Sequence, residues 1–437
     1  MKAVANFFDK LMRKYTPDPF IFALFLTFLT LIAGIVYTPA SLPDMLFYWG
    51  DGFWSLSTFT MQMVMIFVGG YILASTAPIQ KVLQAIAKRV KTPSQAVFAV
   101  TVVSCSACWL NWGFGLVIGG LFCREVIRVL PRANFRLMVA SSYSGFLVWH
   151  GGLSGTIPLM VATEGNFAQA RIGHLIPIWD TIFSPLNITI VVSLMIVLPI
   201  LNWYISKTEE GEVHLYTVAP ESKVEEPKEI SPAEKLEYFS LISRTAGTMG
   251  LAYLGFKIYQ GKFSLELNNI CLFLLFASLF LHKNIYTFNK SVGEAVTKVG
   301  PIILQFPFYA GMMGMLERSG LANMLATCFE KISTKDTFNL LTFYSAAFLN
   351  LFIPSGGGKW VVESPVVIQA AHELGTSLPM ACMAVVWGDS WTNMIQPFFA
   401  LPLLAIAGLK ARDIMGYCII SLIVSGIIIS TSFMIFR

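Results

Sequence analysis

SCSACWLNWGFG, residues Ser104 to Gly115, sits in the middle of a segment that is uncharged from near Val97 until Arg124. Lys81, Lys88, Arg89 and Lys91 precede that segment; Arg124, Arg128, Arg132 and Arg136 follow it. Lys and Arg near span ends belong on the cytoplasmic side, so both clusters want the same face of the membrane. A single crossing between them would strand four arginines outside. Reading about residues 93–123 as a re-entrant hairpin, entering and leaving on one side around this polar, glycine-bearing break, removes the conflict. A second hairpin at about 337–370, entered from the opposite side, then places Lys410 and Arg412 inside.

The composition sets this reading in a membrane. Of 437 residues, 55% are hydrophobic and 13% charged, and the mean hydropathy is +0.67. Ordinary soluble domains carry about 25% charged residues. A disordered chain, a nucleic-acid binder and a conventional soluble enzyme are excluded. The net charge of +5 is mild, so its placement carries more information than its size. Seven cysteines, an odd number lying mostly in apolar stretches, read as buried thiols and not as a disulfide framework. Uncharged runs of about 18 or more residues match a hydrocarbon core roughly 30 Å thick. Together they predict an all-α polytopic membrane protein of two inverted-topology halves, with about nine transmembrane helices, two re-entrant hairpins and two broken helices.

The first half covers residues 1–206, with a broken helix at about 137–163. The second covers 238–437, with a broken helix at about 378–407. Between them, residues 207–237 hold nine Glu against four Lys and three prolines, a polar cytoplasmic linker with too little apolar content to pack. Lys2, Lys10, Arg13 and Lys14 place the N-terminus in the cytoplasm. The first apolar run is too long for a signal-peptide core and is expected to stay as a span.

The breaks recur in register. SCSACWLNWGFG is followed by WHGGLSGTIP (Trp149 to Pro158), and NLFIPSGGGKW (Asn350 to Trp360) by WGDSWTNMIQP (Trp387 to Pro397). Asn111 to Ser154 spans 43 positions and Asn350 to Thr392 spans 42, with offsets of 239 and 238 between halves. Interrupted apolar segments at corresponding places in two halves point to a transporter site near the membrane midplane. Non-helical backbone at that depth survives only where protein or water re-satisfies it. Half-helix N-termini there offer N–H groups to a carboxylate, and opposing carbonyls offer oxygens to Na⁺.

The motifs GGLSGTIP (Gly151 to Pro158), FIPSGGGKWVVE (Phe352 to Glu363) and WGDSWTNMIQPFF (Trp387 to Phe399), in this order, resemble the short-chain fatty acid transporter family. The resemblance covers essentially the whole chain. It implies kinship with the broader ion transporter group of carboxylate carriers, a scaffold with a moving transport region, and a homodimer. It also implies short monocarboxylates such as butyrate or acetoacetate as cargo. Related carriers bind substrate and flank Na⁺ with Ser-Asn-Thr triplets. The matching positions here read Ser154-Gly155-Thr156 and Ser390-Trp391-Thr392 followed by Asn393, with the central Asn absent from both.

The candidate substrate-binding residues are Asn111, Ser154, Gly155, Thr156, Ser355, Gly356, Gly357, Lys359, Thr392 and Asn393. Lys359 reads as a cation for the substrate carboxylate, or as the ion-pair partner of Glu363 four positions on. Candidate ion-coupling residues are Asp389, Ser390 and His150. Asp389 could bind a cation or carry a proton, or it could cap a helix resuming at Trp391. His150 could titrate near neutral pH, or stay neutral on freed carbonyls. Six tryptophans around the breaks, Trp109, Trp112, Trp149, Trp360, Trp387 and Trp391, either wall an acyl-tail pocket or simply pack. The lone Cys105-Ser-Ala-Cys108 lacks a second metal-spaced pair. Ser154 and His372 superficially suggest a membrane-protease dyad, but 218 positions separate them.

No nucleotide-binding motif is present. The expected function is secondary active transport of short-chain monocarboxylates, driven by symport of H⁺ or Na⁺ with no other cofactor. The alternatives are a dicarboxylate carrier or exchanger and, more remotely, an anion channel. Membrane lipids and the small acid are the expected partners, with no nucleic acid, and the expected home is the cytoplasmic (inner) membrane.

Overall fold

Prolines and small polar residues mark where the helices begin. The computed structural model describes residues 19–164, 166, 168–208, 231–263, 267–297, 299–353, 356–396 and 398–436, and among these every regular element is helical. The first half runs α1 (Pro19–Tyr37), α2 (Leu42–Gly52), α3 (Ser57–Ala74), α4 (Ala77–Ala87), α5 (Pro93–Leu110) and α6 (Trp112–Val129). Then come α7 (Phe135–Ser144), continued by a 3₁₀ turn Gly145–Val148, and α8 (Thr156–Val161), α9 (Gln169–Ile172) and α10 (Pro185–Thr208). The second half contains α11 (Pro232–Tyr238), α12 (Ser240–Tyr259), α13 (Leu267–Leu281), α14 (Ile285–Val296), α15 (Gly300–Arg318) and α16 (Leu321–Glu330). It ends with α17 (Phe338–Leu349), α18 (Gly356–Leu374), α19 (Leu378–Thr392), α20 (Leu401–Ala407) and α21 (Met415–Ile435).

Local chemistry explains the helix starts. Thr92 accepts a hydrogen bond from Gln95 N at the start of α5, and Asn134 does the same for Leu137 N at the start of α7. Asn111 is both the end of α5 and the cap of α6, its Oδ1 3.0 Å from Phe114 N. One residue therefore turns the chain between two 18-residue helices that pack on each other. Gly115 makes that packing possible, because a side chain there would collide with Cys108 backbone and sulfur.

The two halves pack in matching ways. α7 lies on α5 and α6, and α19 lies on α17 and α18. α10 packs on α5, α21 packs on α17, and α10 and α21 meet each other. The second helix of each pair also reaches across: α6 touches α20, and α18 touches α8. A peripheral layer holds α1, α2 and α3 against α15, with α13 and α14 beside α3 and α12 packed on α13.

Three helices among the described residues are long and apolar enough to cross a bilayer alone: α5, α10 and α21. At about 1.5 Å per residue, α5 is itself about 27 Å long, so the first helix pair is deeper than a shallow dip. α13 and α17, at 15 and 12 residues, are apolar but short. The polar linker is largely outside the described residues, and its last part forms α11, started by Pro232.

The second break sits later than the sequence places it. α19 runs unbroken through Asp389 and Ser390 to Thr392, and the non-helical stretch begins at Asn393. Asp389 is therefore inside a helix and not the cap of a new one. Leu378 through Trp387 already supply an apolar, buried helix, and nothing in Gly388-Asp389-Ser390 ends it.

Gly388 faces the first helix of the second pair: a Cβ there would lie 2.4 Å from Phe343 O and 2.7 Å from Ala346 Cβ. Gly388→Ala is expected to destabilise the protein by about 1–3 kcal/mol, read as a lower thermal midpoint in detergent. Gly255→Ala, where nothing lies within 4 Å, is expected to leave it unchanged or slightly raised.

Candidate functional site

The first break turns through Trp149 to Gly155 because its glycines accept contacts that no side chain would permit. A Cβ on Gly152 would meet Trp109 O at 2.3 Å, and one on Gly155 would meet His150 O at 2.1 Å. Leu153 N donates to Trp109 O at 2.8 Å, and Trp112 N donates to Ser154 Oγ at 3.0 Å. These bonds tie the break to the turn between α5 and α6. Asn187 on α10 braces the other side, donating to Gly151 O at 2.8 Å and accepting from Trp387 Nε1 at 3.0 Å.

Held this way, His150 points at the second half. Its Nδ1 lies 2.7 Å from Asp389 Oδ2, and Asp389 Oδ1 lies 2.9 Å from Lys359 Nζ. All three side chains have no solvent exposure. Ile157 N donates to His150 Nε2 at 3.2 Å. Assigned from this network, Nε2 carries no hydrogen and Nδ1–H donates to the carboxylate, a neutral imidazole beside a Lys⁺–Asp⁻ pair. Lys359 also donates to Ala346 O at 3.3 Å on α17. The partner of Lys359 is thus Asp389, thirty positions on, in place of the helical neighbour Glu363 that sequence spacing offered.

Gly356 at the start of α18 lets the cluster close. A side chain there would sit 2.6 Å from His150 Cε1 and 2.9 Å from Thr156 Oγ1. Thr156 Oγ1 is itself 3.4 Å from His150 Nε2. Gly357 faces Met160, whose Cε would be 3.2 Å from a Cβ. The structure therefore gathers buried His150, Gly155, Gly356, Lys359 and Asp389, with half-buried Thr156 at their edge, into one cluster built from α8, α18, α19 and the first break. Ser355 lies outside the described residues.

The other candidates serve the joints around it. Ser390 Oγ donates to Leu147 O at 2.5 Å. Thr392 Oγ1 donates to Ala347 O at 2.9 Å and accepts from Asn350 Nδ2 at 3.1 Å. Asn393 Nδ2 donates to Asp389 O at 2.8 Å while its Oδ1 accepts from Trp149 Nε1 at 3.1 Å. Asn111 spends its oxygen capping α6; its Nδ2 is buried with no hydrogen-bond partner among the described residues. That unpaired donor lies at the turn beside Ser154.

Sequence reasoning missed Asn350, which also donates to Asp389 O at 2.8 Å. Its 42-position separation from Thr392 is the separation of a direct hydrogen bond. Tyr143, whose hydroxyl donates to Asn393 O at 2.8 Å, and Asn187 carried no motif signal.

Aromatic rings stack beside the cluster. Tyr143, Phe146, Trp149 and His150 form a near-parallel stack, with the last two centroids 4.2 Å apart. Phe399 and Trp112 lean against it at 5.9 Å from Trp149. The stack is both packing and a rigid wall beside the ion pair. The seven cysteines are free thiols, five of them buried, Cys105 and Cys108 included. Among the described residues no group of three or more His, Cys, Asp or Glu could hold a metal. Ser154 accepts from Trp112 N, while His372 is exposed near the end of α18, so no Ser–His dyad forms.

An all-helical integral membrane protein with ionised residues sealed between two broken helices is the class that this geometry defines. A match to the short chain fatty acid transporter family spans residues 1–436, and the chain belongs to that family. It is 42% identical over 432 residues to an Escherichia coli protein named as a candidate short-chain fatty acid transporter, covering 97% of each chain. A Haemophilus influenzae protein named likewise is 41% identical over 431 residues, covering 96% of each. Family and relatives are transporters and not enzymes. Among solved structures, the Alcanivorax borkumensis YdaH transporter is similar over 96% of this chain and 97% of its own, at 18% identity and a TM-score of 0.47.

Removing one member of a buried ion pair strands the other and costs about 3–5 kcal/mol, whereas replacing both is close to neutral. Lys359→Met and Asp389→Asn are each expected to lower the thermal midpoint sharply. The Lys359→Met/Asp389→Asn double variant should recover most of that loss, a coupling measured directly by a double-mutant cycle.

Proposed function

We propose that the chain is a secondary active transporter that carries short-chain monocarboxylates, butyrate or acetoacetate among them, across the cytoplasmic membrane by cation symport with alternating access. The observation that carries the reading is the sealed Lys359–Asp389–His150 cluster, set where both broken segments meet. Ions buried at membrane depth cost too much to serve as packing and mark substrate or ion paths by default. Lys359 is the one fully buried lysine or arginine among the described residues, which suits one carboxylate better than two.

The charges suggest the order of events. With His150 neutral, the cluster carries no net charge. A substrate carboxylate that engages Lys359 must displace Asp389, leaving an extra negative charge in a medium of low dielectric. A cation must accompany it. H⁺ has the more direct route, since the displaced carboxylate already touches a titratable imidazole; Na⁺ would need the Asp389 carboxylate together with carbonyls freed at the breaks. Asn111 Nδ2, Ser154 and Thr156 offer polar contacts to the substrate, and the Trp149–Phe146 wall offers an apolar face to its short tail.

In this reading the α5–α6 pair returns to the side it entered from, the α17–α18 pair does the same from the opposite side, and the two halves are inverted repeats. The N-terminus and the Arg124–Arg136 cluster then face the cytoplasm. The matching packing of α7 on the first pair and α19 on the second supports it. A cysteine placed at Arg132 should react with an impermeant thiol reagent only from the cytoplasmic side; labelling from outside would overturn this topology.

The function is tested by uptake of labelled butyrate into proteoliposomes under an imposed H⁺ or Na⁺ gradient. The expected result is gradient-driven accumulation under one of the two, competed by acetoacetate and not by succinate. No uptake above empty liposomes would contradict the substrate class, and downhill flux with no counterflow would favour a channel.

A further inference from the structure

An open groove in the first half, sharing no residue with the ion-pair cluster, lies between the end of α4 and the facing sides of α5 and α10. It holds about 620 Å³. That is within the size range of small-molecule sites, roughly 300–1,000 Å³. Its polar lining is Arg89 and Gln95; its apolar walls include Phe98 and Ala99 of α5 and Ile200 and Trp203 of α10. Phe98 and Ile200 are exposed, so the groove opens outward. Behind it, Asn202 donates to Thr101 Oγ1 at 3.2 Å and to Ser144 Oγ at 2.9 Å, fastening α10 to α5 and α7.

The groove is apolar inside and cationic at its rim. Among the described residues no acidic side chain lines it. Lys88 and Lys91, both exposed, flank Arg89 in the chain. Lys207 Nζ rests 4.3 Å from the centre of the Trp203 ring, which belongs to the wall. Seven residues separate Ile200 from Lys207, so about 10 Å along α10 carries the surface from apolar to charged. The axis of α4 turns 76° from that of Thr60–Leu73 in α3, and its Val82 and Ile86, one turn apart, are exposed. An apolar stripe on a helix turned across its neighbour, followed at once by Lys88, Arg89 and Lys91, is the pattern of a helix lying among lipid headgroups. A small water-soluble anion would meet these cations and gain nothing from the apolar walls. A zwitterionic lipid would bring its own ammonium to a rim that already holds four cations. A lipid with net negative charge matches both parts, its phosphate suited to a guanidinium and its tail to the walls.

We infer that this groove binds an anionic phospholipid, its phosphate held by Arg89 and Lys207 and one acyl chain laid along Phe98, Ala99 and Ile200. This goes beyond the proposed transport function and does not depend on which acid is carried. A lipid seated there touches the end of α4, α5 and α10 together, and so joins the outer helix α4 to the helices that hold the first break.

The test offers the full-length protein, in neutral detergent, equimolar phosphatidylglycerol and phosphatidylcholine, and counts retained lipid by native mass spectrometry. Wild type is expected to keep phosphatidylglycerol in preference to phosphatidylcholine. The Arg89→Gln/Lys207→Gln variant should bind phosphatidylglycerol at least about tenfold more weakly. Lys410→Gln/Arg412→Gln, which removes the same charge from exposed positions elsewhere, should behave as wild type. Ala99→Trp fills the groove and keeps every cation, and it too should lose the lipid. Should that variant fail to fold, Ile200→Asp, at an exposed position on the same wall, should weaken binding in the same direction. Equal retention of the two lipids by wild type would overturn the site. So would equal retention of phosphatidylglycerol by wild type and the groove variants, or an equal loss in the Lys410→Gln/Arg412→Gln control.

Discussion

A lysine ammonium and an aspartate carboxylate 2.9 Å apart, both without solvent exposure, set the terms for everything around them. Withdrawing each ion from water costs several kcal/mol, and mutual attraction offsets that only when further hydrogen bonds complete the geometry. The chain meets the requirement from three separate places. α18 brings Lys359, α19 brings Asp389, and the first break brings His150 to the carboxylate's other oxygen. Gly356 carries no side chain because the imidazole occupies that space. Asn350 and Asn393 both donate to the Asp389 carbonyl, fixing the backbone from which the carboxylate projects.

The same economy appears at the two chain reversals. Trp112 N on Ser154 Oγ closes the first, and Asn350 Nδ2 on Thr392 Oγ1 closes the second. Each of these hydrogen bonds, worth about 1 kcal/mol, ties a break to the neighbouring turn within its own half. Between the halves the contact is aromatic as well as ionic, with Trp112, Phe146 and Trp149 packed on Phe399. The small-residue contacts at Gly115, Gly145 and Gly388 keep each helix pair rigid on its own broken helix.

Much of this was legible in the sequence, for identifiable reasons. Charge placement and apolar length gave a helical membrane protein, and the arginine conflict at Arg124 pointed to a chain reversal that falls at Asn111. Gly, Ser and Asn at membrane depth marked His150, Ser154, Lys359 and Asp389. What pattern could not supply was partner identity. Lys359 and Glu363 have helical spacing, yet the ammonium turns to Asp389 because α19, a distant element, fills the space beside it. Similarly, Asp389-Ser390 has the local chemistry of a helix start, but the apolar run before it keeps α19 helical until Asn393. Asn187 and Tyr143 brace the breaks through contacts 36 and 250 positions away in sequence, beyond the reach of any local signal.

The central claim is that the buried cluster is transport machinery and not a structural clamp. The most direct test is counterflow of labelled butyrate through the Lys359→Met/Asp389→Asn double variant, reconstituted after confirming that it unfolds at nearly the wild-type temperature. Counterflow removes any need for a driving gradient, so it reads substrate handling alone. The account predicts no exchange above protein-free vesicles in a protein that is otherwise intact. Exchange at the wild-type rate would contradict it and reduce the cluster to a clamp between the halves.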